Sequence, residues 1–197
     1  MGILALRPSA GSLTAVDLGG NALSEKGGAA LEAVLGSLSS LRQLLLGYND
    51  LGIKGGAAVA RGLRGANAVE VLDLQANSLY DGGGSAVAGA LPGLARLREL
   101  YLQYNELGRD TARALAAALP SVGRLEVLDL DGNKLDSAAA VTLAEGVSAL
   151  STLRVLDLQR NRMGPEEAAG EWRRCLSHLG ELTVVAGDGL VDADPGD

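Results

Sequence analysis

The chain of 197 residues has no phenylalanine, one tryptophan and four tyrosines, so aromatics make up only 3% of it. An interior without large rings must be filled by leucine, valine and alanine, which suits thin layers of one repeated shape. Cysteine occurs once, at Cys175, which excludes an internal disulfide framework and agrees with a reducing compartment. Histidine also occurs once, at His178, three residues further along what reads as the last helix. A nucleophile and base need a cleft, an orienting group and oxyanion donors, and an outer terminal helix supplies none of these. The reading is therefore non-enzymatic, with no catalytic residue, metal or cofactor expected.

Positive charge is in deficit. With 17 Lys+Arg against 24 Asp+Glu, the net charge of −7 argues against a nucleic-acid partner, which needs a concentrated basic face. Long apolar runs are missing as well. Residues Met1 to Leu6 are too few for a signal peptide, and no stretch approaches the ~18 apolar residues of a membrane span. Leu6 stands where a myristoylation motif beginning at Gly2 would need Ser or Thr. Gly82-Gly83-Gly84-Ser85 lacks the lysine of a phosphate loop. These absences point to an intracellular, cytoplasmic protein without membrane insertion.

What the chain has is repetition. The stretch LEVLDLDGNKL, residues 125 to 135, fills the pattern L-x-x-L-x-L-x-x-N-x-L, which recurs with its asparagine at Asn21, Asn49, Asn77, Asn105, Asn133 and Asn161. Each step is 28 residues. A unit of this size cannot bury its apolar face alone, so six of them must stack. Within each, an alternating run such as Leu125, Leu128 and Leu130 reads as a short strand, and a stripe at spacing four such as Leu143 and Val147 reads as a helix.

The organisation follows from the frame. Residues 13–180 form the six repeats, and 181–186, with Val184 and Val185, form a terminal strand. Residues 1–12 overlay the second half of a repeat, since Pro8-Ser9 and Gly11 match Pro120-Ser121 and Gly123; they are a half-repeat or a capping helix. Residues 187–197, with Asp188, Asp192, Asp194 and Asp197, read as a flexible acidic tail. The last helix departs from the frame. Strict register would bury Glu171, Cys175 and His178, whereas a one-residue shift buries Trp172, Leu176 and Leu179 after a favourable start at Pro165, Glu166 and Glu167. Gly27, Gly55 and Gly83 are equivalent, and glycine there is expected to permit close approach of the neighbouring helix.

The period of 28, the asparagine at the turn and phrases such as Gly-Gly-Ala-Ala-Leu-Glu-Ala-Val-Leu, residues 27–35, resemble the ribonuclease-inhibitor-like class of leucine-rich repeats. That class includes repeats of nucleotide-binding immune receptors and of the Ran GTPase activator. The resemblance implies an α/β leucine-rich repeat solenoid, a horseshoe arc of about six repeats with parallel strands on the concave face and helices on the convex face. It also implies an asparagine ladder along the turns and protein partners docking on the concave side. By resemblance alone, the chain is alternatively a regulator of a small GTPase or the ligand-sensing repeats of an immune-type receptor. Fewer repeats and a shorter acidic tail set it apart from the former.

With frame positions 4 and 6 buried, positions 3, 5, 7 and 8 face the concave side or its rim. Position 5 reads Asp17, Leu45, Asp73, Tyr101, Asp129, Asp157; position 8 reads Gly20, Tyr48, Ala76, Tyr104, Gly132, Arg160. Three of the five aromatics thus meet on one face that core packing does not require. Tyrosine combines large area with a polar tip, which suits an interface. The candidate protein-binding residues are Tyr48, Asp73, Gln75, Tyr101, Gln103, Tyr104, Asp129, Asp131, Asp157 and Arg160. Among them Asp129 and Asp131 are read as free to meet a partner, and Asp129, Asp157 and Asp131 as at most a weak cation site. Position 2 alternates Arg42, Glu70, Arg98, Glu126, Arg154, a charge ladder that favours correct register. The expected partner is a protein, or a large multi-subunit complex in which this chain is a structural subunit.

Overall fold

The computed structural model describes residues 12–164 in full and, beyond them, the backbone of 183–186 and 189–192. The half-repeat before Ser12, the helix expected to carry Pro165, Trp172, Cys175, Leu176, His178 and Leu179, and the remaining tail residues lie outside the described residues.

Strand and helix alternate in the 28-residue frame. In order they are β1 (Ala15–Asp17), α1 (Ser24–Leu35), β2 (Gln43–Leu45), α2 (Gly52–Leu63), β3 (Val71–Asp73), α3 (Tyr80–Ala88), β4 (Glu99–Tyr101), α4 (Arg109–Ala118), β5 (Val127–Asp129), α5 (Ser137–Val147) and β6 (Val155–Asp157). Two more strands follow, β7 (Thr183–Ala186) and β8 (Gly189–Asp192). One sheet contains them all in sequence order. β1 to β7 are parallel, each residue paired with the one 28 positions on, as Leu44 is with Leu72. β7 is not the last strand: β8 returns antiparallel to it, with Val184 opposite Val191. Its aspartates make this stretch read as a tail, but Leu190 and Val191 are residues that suit a strand.

Repeats two to six each contribute one buried strand residue flanked by two half-buried or exposed ones, while Val16 of β1 is only partly buried. Leu44, Leu72, Leu100, Leu128 and Leu156 are fully buried, as are the helix residues Val59, Leu63, Val87, Leu115, Leu119, Leu143 and Val147. Burying one such side chain contributes about 1.5–3 kcal/mol. The helices cover one face of the sheet. Parallel sheets are usually covered on both faces, so the other, open face is where this molecule differs from a plain core.

The asparagines explain how the turns stack. Asn77 is buried; its Nδ2 donates to the carbonyls of Leu74 (3.0 Å), Gln75 (3.0 Å) and, one repeat back, Leu46 (2.8 Å). Its Oδ1 accepts from the amides of Asn49 (3.2 Å) and Leu51 (3.3 Å). Asn49 and Asn105 repeat the pattern in full. Buried backbone groups that no strand can reach thus find partners.

The helices approach closely through Gly28 rather than Gly27. A Cβ on Gly28 would lie 2.5 Å from the Cα of Gly55, whereas one on Gly27 or Gly83 would meet Leu23 or Leu79 of its own repeat. Of the three glycines expected to face a neighbour, a Cβ on Gly55 would come nearest, 3.2 Å from the Cα of Glu25, and one on Gly83 would lie 3.6 Å from the Cα of Ile53. α4 uses another device. Asp81, from α3, accepts the amides of Gly108 and Thr111 and the Thr111 hydroxyl (2.8–2.9 Å). Partial burial alone would push its carboxyl up, but these bonds outweigh it and hold Asp81 below the usual range. At the strand-entry edge the expected charge ladder resolves into separate pairs, Arg42–Glu70 at 2.9 Å and Arg98–Glu126 at 2.8 Å. Such exposed pairs are worth about 0–1 kcal/mol each.

Candidate functional site

The turn after each strand places position 8 in the left-handed region in every described repeat. The φ values are 69° at Gly20, 58° at Tyr48, 49° at Ala76, 56° at Tyr104, 63° at Gly132 and 49° at Arg160. Glycine adopts this conformation freely, and a side chain there costs about 1–2 kcal/mol. The fold accepts glycine at Gly20 and Gly132, so it does not itself ask for tyrosine at Tyr48 or Tyr104. Both are exposed, at 60% and 43%. Tyr80, at the start of α3, also has positive φ (50°) and is 47% exposed. With Ile53 (48% exposed) these side chains give the strand-end rim of repeats two to four an apolar, aromatic character.

Tyr104 leans toward the next repeat. A Cβ on Gly132 would lie 2.5 Å from its ring, so glycine at this position gives the ring its place. From the repeat beyond, the Arg160 guanidinium sits over that ring, 5.2 Å from its centroid. Arg160 also donates through Nε (2.8 Å) and a second nitrogen to Asp131. That carboxylate raises the Arg160 pKa further. Asp131 itself is 4% exposed. The sequence leaves Asp131 free for a partner; in the structure it is buried and engaged, because Arg160 reaches back across one strand to neutralise it.

Tyr101 lies deeper, partly buried between its register partners Asp73 and Asp129. Its hydroxyl donates to Glu99 (2.9 Å). Burial first, then Glu99 and the flanking aspartates, push the phenol up to about 12, so it stays protonated. Each position-5 aspartate accepts the amide two residues on: Asp17 from Gly19, Asp73 from Gln75, Asp129 from Asp131, Asp157 from Gln159, all at 2.9–3.0 Å. One carboxylate oxygen therefore serves the turn; the second accepts from the Gln75 side chain at Asp73 and is not used by the turn at Asp17, Asp129 and Asp157. Asp129 is pushed up to about 6 by burial and by the charges of Asp157 and Asp131, against the opposing amide bond. Asp157 moves the same way for the same first reason.

Beside them Gln103 donates to Gln75 (3.2 Å), which donates to Asp73 (2.9 Å). The Gln103 Oε1 is buried and has no donor. Among the described residues no three His, Cys, Asp or Glu side chains are placed to hold a metal ion.

All ten candidate residues thus lie on or beside the open face, in two groups. Asp73, Gln75, Tyr101, Gln103, Asp129 and Asp157 line the sheet, and Tyr48, Tyr104, Asp131 and Arg160 lie along the rim. Tyr80 and Ile53 belong with the rim and are missed by the strand frame. Both follow the turn, in positions that periodicity assigns to helix starts.

An open parallel sheet stacked in a 28-residue frame, backed by outer helices and laced by asparagines, defines a leucine-rich repeat solenoid; the chain is a leucine-rich repeat protein. A Leucine Rich repeat family model matches residues 12–31 and 149–166. Among solved structures the chain is similar to an internalin C2 from Listeria monocytogenes, at 17% identity and a TM-score of 0.50, over 90% of this chain and 82% of that one. The likeness is one of fold. No curated protein matches the chain. No helix among the described residues is long and apolar enough to cross a membrane.

Proposed function

We propose that this chain is a protein-interaction module that binds a partner protein, alone or within a larger assembly, through the open face of its sheet and the adjoining rim. One observation carries this reading: Tyr48, Tyr80 and Tyr104 are solvent-exposed and held in left-handed backbone that favours glycine. The core gains little from them and their backbone costs stability; Tyr104 also seats Arg160, but for Tyr48 and Tyr80 the benefit is best sought outside the fold. The five outer helices among the described residues, each of 9–12 residues, agree with the ribonuclease-inhibitor-like class.

Affinity capture followed by mass spectrometry tests the proposal, comparing the native chain with a Tyr101→Ala/Tyr104→Ala double variant. The expected result is loss of the captured protein with the solenoid still folded by circular dichroism. Equal capture by both forms would sink it.

A further inference from the structure

We propose that the open face docks a basic segment of the partner protein, with one arginine of that segment seated between Tyr101 and Asp129. This rests on the interaction surface proposed above and names the chemistry it takes. Two observations carry it.

The first is charge. The face presents Asp17, Asp73, Glu99, Asp129 and Asp157, and none of these forms an ion pair among the described residues. Its own arginine, Arg160, is already neutralised by Asp131. An unpaired acidic face steers and selects a basic partner.

The second is a template within the molecule. At the rim, a tyrosine of the fourth repeat and an aspartate of the fifth hold a guanidinium: Tyr104 offers its ring, Asp131 its carboxylate, and Arg160 fills the space between. On the sheet the same couple recurs, Tyr101 from β4 beside Asp129 from β5, paired in register. Here no arginine among the described residues is bound. The Tyr101 ring is held by its bond to Glu99, and Asp129 has one oxygen free of its turn. Asp157, the next register partner, adds a second carboxylate about 4.8 Å further along the sheet. Arginine suits such a seat better than lysine, because its planar group stacks on a ring, meets a carboxylate with two N–H groups and is more weakly hydrated. Burial raises the pKa values of Asp129 and Asp157, and the nearby Arg160, which forms its ion pair with Asp131, only partly offsets it.

The experiment selects binders to the full chain from a random peptide library displayed on phage. An enriched arginine peptide and its citrulline counterpart are then titrated by fluorescence anisotropy. The expected result is enrichment of arginine, at least tenfold weaker binding of the citrulline form, and a similar loss in Asp129→Asn and in Tyr101→Ala. Tyr101→Phe, which keeps the ring, retains binding. Asp129→Asn removes charge without removing volume and keeps the turn acceptor, so misfolding does not explain its loss. Binders without arginine, or arginine peptides indifferent to citrulline or to Asp129→Asn, overturn the arginine seat. If those binders still need Tyr48 and Tyr104, the interaction surface stands without it. Binders that ignore all these residues, or no binders at all, remove both.

Discussion

At the scale of the residue, position 8 separates what the fold needs from what it carries. The turn asks for left-handed backbone, and Gly20 and Gly132 meet that need at no steric cost. Tyr48→Gly should therefore be more stable than Tyr48→Ala by about 1 kcal/mol, as measured by urea denaturation, since both lose the ring but only alanine keeps the strained Cβ. Asp129 makes a second case. Its carboxyl is raised from an ordinary 3.8 to about 6 in the fold. Between these values the folded chain holds a proton that the unfolded chain has released. Stability from the protonated form is thus present below about pH 4 and is lost as pH rises through 6. Asparagine imitates the neutral acid. Asp129→Asn should raise the melting temperature at pH 7 by roughly 2–4 °C, corresponding to about 1 kcal/mol after allowance for partial exposure, and should change it little at pH 4. An equal gain at both pH values would contradict this account of Asp129.

At the scale of the element, the asparagine turns and the glycine contacts link one repeat to the next. Asn105 sits inside the stack, with five bonds made by its side chain, whereas Asn21 is exposed and its Nδ2 makes two. Asn105→Ala should cost about 2–5 kcal/mol, because several backbone groups lose partners away from water, and Asn21→Ala less than half as much. Gly28→Ala forces a methyl toward the Gly55 backbone at 2.5 Å and should cost about 1–3 kcal/mol. Denaturant midpoints check all three variants.

These elements were also the most legible ones. A fixed period of 28 shows strand, turn and helix at once, since every repeat solves the same packing problem. Other features depend on geometry that no period encodes. Asp131 is an aspartate among aspartates until Arg160 is seen to reach it from the next repeat. Tyr80 reads as a helix start, but its backbone is left-handed and its ring is exposed. Which glycine faces the neighbour, Gly28 or Gly27, depends on the phase of the helix by one residue.

At the scale of the whole molecule, the solenoid gives partners a choice of two broad surfaces, sheet and helix. The helical face carries scattered exposed polar residues such as Lys26 and Glu145, while the sheet and its rim carry the exposed tyrosines and the unpaired carboxylates. Site-directed photo-cross-linking distinguishes the two directly. A photoreactive amino acid is placed in turn at Tyr48, Tyr104, Lys26 and Glu145 of the full chain, in an extract that yields a partner. Cross-linked partner is expected from Tyr48 and Tyr104 and none from Lys26 or Glu145. Cross-links from the helical positions, with none from the tyrosines, would contradict binding through the sheet and its rim.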